Sequence, residues 1–404
     1  MAFAFGDFEL DVDRLELRRD GVAVALEPQT FDVLVYLVEQ RDRVVPKEEL
    51  MDNVWGGRFV SETAVTSRIK QARRAVGDDG QAQVVIRTHH GRGYRFVAEV
   101  SVGTDEPGAA GSAVASPASG NGEPPLRQDV HFCRTSDGVR LAYAWTGSGP
   151  PLVKAANWLT HVEYDLETPV WRHWYRDLAR HHRLLRYDER GCGLSDTEVS
   201  EFSVDAWVDD LETVVDAAGL DRFPLLGVSQ GGAVAIEYAV RHPERVTKLV
   251  LYGAFVKGPP LRARTDEHRR EAEMMPELAA LGWGRRVPVL RQVFTRRFLP
   301  EGPPRAWDDF DALQVRTVSA ENAARFLTAF NGIDVEDSCR HVSVPTLVLH
   351  ARRDLLLPVE EGVTIASLVP DSRFVSLDSC NHLLLEDEPA WPEFIREVQD
   401  FLAA

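Results

Sequence analysis

Residues 101–126 read SVGTDEPGAAGSAVASPASGNGEPPL, a stretch that offers a fold almost nothing to bury. Small residues, Gly and Pro in such density make a flexible linker. A chain of 404 residues is also longer than one hydrophobic core supports. Two domains are therefore expected, over residues 1–100 and 127–404, and no internal repeat unites them. Hydrophobic content of 44% and charged content of 27% exclude a disordered or fibrous chain, so both can build real cores.

The formal net charge of −17 argues against a surface that coats nucleic acid or anionic membrane throughout, yet leaves room for one local basic face. That face is found by partition. Residues 1–57 carry a net of −7, whereas residues 58–95 carry +5. Cys133, Cys192, Cys339 and Cys380 lie far apart without metal-ligand spacing, which favours reduced thiols. The opening MAFAFGDFELDVD lacks a basic segment followed by an apolar run, and no later stretch approaches the roughly 20 apolar residues of a membrane span. A cytoplasmic protein with no membrane partner is expected. With neither a metal constellation nor a Gly-rich phosphate loop, no metal or cofactor is expected either.

In the first domain, FAFGDFELDV, RLELRR and VAVAL alternate as a small antiparallel sheet. Pro28 and Pro46 open two helical patterns, and a third helix begins at Ser61. In that third helix Val65, Ile69, Ala72 and Val76 form an apolar stripe. The opposite face carries Thr63, Thr66, Ser67, Lys70 and Arg74, flanked by Arg68 and Arg73, one side for a core and one for phosphates and base edges. The hairpin VVIRTHHGRGYRFVAEV follows, also basic. Through TFDVLVYLVEQRDRVVPKEELMDNVWG, AVTSRIKQARRAVGD and IRTHHGRGYRF, residues 3–100 resemble a winged helix of the OmpR/PhoB type. The resemblance implies double-stranded promoter DNA and RNA polymerase as partners. It also implies recognition from Thr63, Thr66, Ser67, Arg68, Lys70 and Arg74, wing contacts from Arg87, His89, Arg92 and Tyr94, and a homodimer reading repeated half-sites. No receiver domain precedes it, so the input is expected from the second domain.

From residue 130 strand-like and helix-like segments alternate, which predicts a mostly parallel sheet covered on both faces. The apolar strand at 223–228 runs into Gly227-Val228-Ser229-Gln230-Gly231-Gly232 and then a helix. This is G-x-S-x-G in the context that makes it a nucleophile elbow, with Ser229 on a strained turn that small neighbours permit. An acid and then a histidine should follow. Asp354 stands at the end of PTLVLHA, and His382 in the loop after RFVSL. Ser229 then attacks, His382 shuttles the proton, and Asp354 holds the imidazole tautomer. Asp334 and Asp378 are rival acids. His181, His182, His242 and His341 read as helix-end or surface residues, while His161 and His350 fall near the upper edge of the sheet.

Residues 130–404, with the DERGCGLSD loop, resemble the α/β-hydrolase superfamily. NWLTHVEYDLETPVWRHW and NHLLLEDEPAW are similar to hydrolase-like domains fused to bacterial regulators or nucleotide cyclases. A polar helical stretch at 257–332 interrupts the rhythm and is expected to cap the pocket. Where many relatives have His-Gly or Pro-Gly, this chain has Ala156-Asn157-Trp158. The backbone amides of Gln230 and Trp158 are the expected oxyanion donors. Asn157 and His161 are candidate pocket residues. Three readings follow: a one-component transcription regulator that senses and hydrolyses a small ester or lactone, a serine hydrolase with an accessory N-terminal module, and a catalytically silent ligand sensor.

Overall fold

The computed structural model describes residues 2–12, 16–19, 22–24, 26, 28–41, 43–54, 62–78, 83–89, 92–98, 100–102, 126–283 and 289–404. The chain divides into two compact units, Met1–Asn121 and Gly122–Ala404. Among the described residues no helix is long and apolar enough to cross a membrane.

In the first unit β1 (Ala2–Phe5), β2 (Phe8–Asp11), β3 (Glu16–Arg19) and β4 (Val22–Val24) form an antiparallel meander. Helices α1 (Pro28–Glu39), α2 (Lys47–Val54) and α3 (Glu62–Ala75) follow, then the hairpin β5 (Ile86–His89) and β6 (Gly93–Phe96). A short β7 (Ser101–Val102) pairs with β1, which takes two residues away from the expected linker. The rest of that stretch, 103–125, lies outside the described residues. Phe3, Phe5, Leu10 and Leu17 from the meander meet Phe31, Leu34, Leu37 and Val38 of α1 and Val65, Ile69 and Ala72 of α3 in one core. The period-2 and period-3.6 faces converge there.

Two buried polar residues tie α3 to the hairpin. Arg73 donates through Nε and Nη2 to the Ile86 carbonyl and through Nη2 to Thr88 Oγ1, so it serves the fold rather than the surface. The Asp78 carboxylate accepts the amides of Val84, Val85 and Ile86, which starts the hairpin at a fixed register.

The second unit is built on eight strands. They are β8 (Gln128–Arg134), β9 (Arg140–Thr146), β10 (Pro151–Lys154), β11 (Arg183–Tyr187), β12 (Phe223–Val228), β13 (Val246–Tyr252), β14 (Thr346–Ala351) and β15 (Ser372–Leu377). Their order is β15-β14-β13-β12-β10-β11-β9-β8. Every pairing from β11 to β15 is parallel, and only β9 runs against the rest, pairing antiparallel with both β11 and β8. This is the mostly parallel sheet that the βα alternation predicts. The central strands are apolar on both faces because helices cover both. The covering helices are α4 (Arg172–Ala179), α5 (Val204–Ala217), α6 (Gly231–Arg241), α12 (Glu336–His341), α13 (Val359–Leu368) and α14 (Ala390–Ala403). Ser203 caps α5 by accepting the Ala206 amide.

Between β13 and β14 the chain leaves the sheet for α7 (Pro259–Arg262), α8 (Asp266–Gly282), α9 (Val289–Phe298), α10 (Pro304–Thr317) and α11 (Ala320–Asn331). The two strands stay adjacent, Leu249 opposite Thr346. A second anchor lies in the loop after β11, where Arg190 sends Nε and Nη2 to Asp210 of α5 at 2.8 and 2.7 Å and Nη1 to Asp137 at 2.9 Å. Arg190 and Asp210 are both buried.

Candidate functional site

The site sits at the carboxyl ends of the parallel strands, where open α/β sheets place ligands. Ser229 follows β12 directly and adopts φ of 54°, the left-handed region, which costs a residue with a Cβ about 1–2 kcal/mol. Its amide donates to the Tyr252 carbonyl. The crossing of strand and helix is close: a Cβ on Gly232 would lie 2.4 Å from Ala254 Cβ, and one on Gly231 would lie 2.6 Å from the Ala156 carbonyl. Only glycine lets the elbow form at this depth.

Three side chains meet there. His382 Nε2 is 2.9 Å from Ser229 Oγ, and His382 Nδ1 is 2.6 Å from Asp354 Oδ2. The other Asp354 oxygen accepts the amides of Leu356 and Leu357. Burial pushes the Asp354 carboxyl up, but His382 and the Leu357 amide outweigh it and hold the group below its ordinary range. The carboxylate therefore stays charged and fixes the tautomer with Nδ1 protonated and Nε2 facing the hydroxyl. The His382 amide donates to the Phe298 carbonyl, and the Phe298 ring meets the imidazole edge-on at 5.3 Å, so α9 of the cap covers the site. The arrangement can accept a proton from Ser229 and return it.

The rival acids lie elsewhere. Asp334 is exposed and bridges Lys257 through the backbone, and the exposed Asp378 pairs with Arg353. His350, fully buried, donates through Nε2 to the Leu357 carbonyl and lies 3.8 Å from Asp354 Oδ2, behind the triad rather than in it. His161 is half-buried, its Nδ1 accepting the Tyr164 amide.

The oxyanion side differs from expectation in one respect. Gln230 and Trp158 are brought together, but the Trp158 amide donates to the side-chain Oε1 of Gln230 at 3.2 Å. Gln230 Nε2 in turn donates to Glu189 at 3.1 Å. On the other side Asn157 Nδ2 donates to the Trp158 carbonyl at 3.0 Å, and Lys154 donates to Asn157 Oδ1. Lys154, Asn157, Glu189 and Gln230 are all buried. Burial pushes the Glu189 carboxyl up to about 8 and the Lys154 ammonium down to about 8. Sequence reasoning missed Lys154 and Glu189. A lysine closing an otherwise apolar strand was the available signal.

Above this loop the Trp158 ring lies against Trp283, Phe294, Phe326 and Phe330, the last four all supplied by the cap segment. Among the described residues no group of three or more His, Cys, Asp or Glu side chains is placed to hold a metal.

In the first unit Thr66, Lys70 and Arg74 of α3 are exposed on one face, and Arg68 is half-buried with Nη1 on Gln71. The side chains of Thr63 and Ser67 lie outside the described residues. Arg87 and Arg92 of the hairpin are exposed, and His89 is half-buried. Tyr94, expected on the wing surface, is instead in the core with Ile86 and Phe96. Strand alternation accounts for it, since Tyr94 and Phe96 share one face while Arg95 takes the other.

Residues 166–389 match a family described as alpha/beta hydrolase fold, and residues 21–96 match one described as transcriptional regulatory protein, C terminal. A 2-hydroxy-6-oxo-2,4-heptadienoate hydrolase of Pseudomonas putida is 28% identical over 293 residues, covering 69% of this chain and 94% of that protein. A 2-hydroxymuconate semialdehyde hydrolase of a Pseudomonas species is 29% identical over 277 residues, covering 64% and 84%. The solved structure of an esterase from a Rhodococcus species is 25% identical with a TM-score of 0.55, covering 68% of this chain and 98% of the esterase. With more than half of its length matched, the chain belongs to the alpha/beta hydrolase fold family, and over residues 21–96 it carries a regulatory domain of the OmpR/PhoB type.

Proposed function

We propose that this chain is a cytoplasmic one-component transcription regulator whose hydrolase-fold unit binds, and hydrolyses, a small ester- or lactone-like ligand, while its first unit binds promoter DNA. The observation that carries the reading is the Ser229–His382–Asp354 relay in the same polypeptide as a regulatory domain. Ser229 Oγ bonds to the ligand's carbonyl carbon as its proton passes to His382 Nε2, and the carbonyl electron pair moves onto oxygen beside the Gln230 amide. His382 returns the proton to the departing alkoxide. Water then repeats the sequence at the acyl-enzyme and releases the acid. A second reading, a silent sensor, is favoured by the Trp158 amide being already engaged.

A fluorophosphonate separates the two. Attack of Ser229 Oγ on phosphorus expels fluoride and leaves a stable adduct, so intact-mass and peptide analysis should find the label on Ser229 and none in Ser229→Ala. Absence of label on the wild type, where an esterase control reacts, would sink the hydrolytic reading. The same comparison in a promoter-binding assay, wild type beside Ser229→Ala with candidate ligands, tells whether occupancy or turnover sets DNA affinity.

In this reading the first unit is a winged helix. Its α3 enters the major groove with Thr66, Lys70 and Arg74, and Arg87, His89 and Arg92 of the β5–β6 wing meet the neighbouring backbone. Supporting it are the exposure of Thr66, Lys70, Arg74, Arg87 and Arg92 and the net charge of +5 over residues 58–95. Affinity for the DNA upstream of its own coding region should fall with salt, and Lys70→Ala should reduce the slope of log K against log salt by about 1. A slope equal to that of the wild type would remove Lys70 from the interface.

A further inference from the structure

We propose that the side-chain carbonyl of Gln230 is an internal plug of the oxyanion site, occupying the Trp158 amide in the resting enzyme and giving way only to a developing oxyanion. The proposal rests on the hydrolytic reading above and deepens it by assigning a throttle to that site. An amide N–H buried beside a nucleophile is costly to leave unpaired, and the Gln230 Oε1 at 3.2 Å satisfies it. Within the Gln230 side-chain amide only the oxygen accepts, so this contact fixes which end of it faces Trp158. The far end is fixed as well, Nε2 donating to Glu189 at 3.1 Å in a pocket closed to water.

The loop is braced on either side of the Trp158 amide. The Trp158 carbonyl, one peptide further on, accepts Asn157 Nδ2 at 3.0 Å, and the Asn157 side chain is held by Lys154, whose ammonium also lies 3.4 Å from the Ala155 carbonyl. The next residue, Leu159, is already in the left-handed region at φ of 67°, a conformation that survives only where its surroundings over-determine it. Of the two partners in the Trp158–Gln230 contact, the side chain is the one free to rotate. Glu189 serves as its hinge, and burial, which drives that carboxyl upward, keeps the hinge from carrying a full negative charge into the site.

The competition for the amide has a direction. A neutral ester carbonyl is no better an acceptor than the Gln230 carbonyl, so substrate binding leaves the plug in place. A tetrahedral oxyanion forms a charge-assisted bond roughly twice as strong and displaces it. The plug therefore lowers kcat/KM, because a neutral carbonyl goes without the Trp158 amide while Gln230 holds it and an oxyanion must displace Gln230 to reach it.

The test compares wild type with Gln230→Met, which keeps the length of the side chain and removes both the acceptor and the donor, and with Gln230→Asn, which stays polar and is too short to reach. Fluorophosphonate labelling rates and steady-state hydrolysis of p-nitrophenyl butyrate are measured on the full chain, with thermal unfolding establishing that each variant is folded. Both variants should label faster and show a higher kcat/KM, roughly three- to tenfold, the factor one neutral hydrogen bond represents. A wild type that labels while neither folded variant is faster in labelling or in kcat/KM overturns the plug and makes Gln230 a brace of the loop. No label on any of the three proteins overturns the hydrolytic reading along with it.

Discussion

In the hydrolytic reading, Asp354→Asn should lower kcat for ester hydrolysis about 10⁴-fold without unfolding the protein. The size of the effect comes from tautomer control. In Asp354→Asn the side-chain oxygen remains the acceptor for the Leu356 and Leu357 amides, so the amide NH₂ must face His382 Nδ1. An NH₂ donor there requires Nδ1 to be the unprotonated nitrogen, which places the ring proton on Nε2, toward Ser229 Oγ. The imidazole then has no lone pair with which to take the serine proton. Initial rates on p-nitrophenyl butyrate, with the thermal midpoint as a control, measure it. A loss below tenfold would remove Asp354 from the relay and reopen the choice of acid.

The second large effect is on stability. Arg190→Met should destabilise the second unit by about 3–5 kcal/mol, because it leaves Asp210 buried and unpaired rather than merely deleting an attraction. In a domain of this size that corresponds to a fall in melting temperature of about 10 °C. Arg190→Lys should recover little, since one ammonium cannot repeat the two-pronged contact with Asp210 and reach Asp137 as well. Arg190→Met combined with Asp210→Leu should recover most of the loss, the buried charge having gone with its partner. Differential scanning calorimetry on the four proteins tests the set. A double variant no more stable than Arg190→Met would mean that the loop's packing, not the orphaned carboxylate, carries the cost.

The parts of this molecule that sequence made legible are those written in local periodicity. Apolar strands alternating with amphipathic helices pointed to a mostly parallel sheet covered on both faces, and G-x-S-x-G between a strand and a helix singled out Ser229, from which Asp354 and His382 followed by position. The exposed face of α3 was readable from the stripe Val65, Ile69, Ala72 and Val76 opposite it. Contacts that cross the fold were not readable. Gln230 was chosen for its backbone amide, and nothing local says that its side chain turns toward Trp158, 72 residues earlier in the chain. Charged residues were no more readable: Asp188, Glu189 and Arg190 stood only as part of the DERGCGLSD loop, yet all three are buried because partners from α5, the elbow after β12 and the loop after β10 reach them. Arg73 was grouped with the basic surface, although the Ile86 carbonyl draws it inward. Tyr94, like Lys154, is a miss that the sequence itself could have prevented, by counting alternate residues back from Phe96.

Because β13 and β14 remain hydrogen-bonded neighbours while α7 to α11 intervene between them, the cap is an excursion whose two ends are pinned by the sheet. Closure entropy rises only with the logarithm of the excursion's length, so lengthening, shortening or exchanging it costs the scaffold little. The excursion is thus free to vary in length between its pinned ends but not at Phe298, whose carbonyl and ring hold His382 from above.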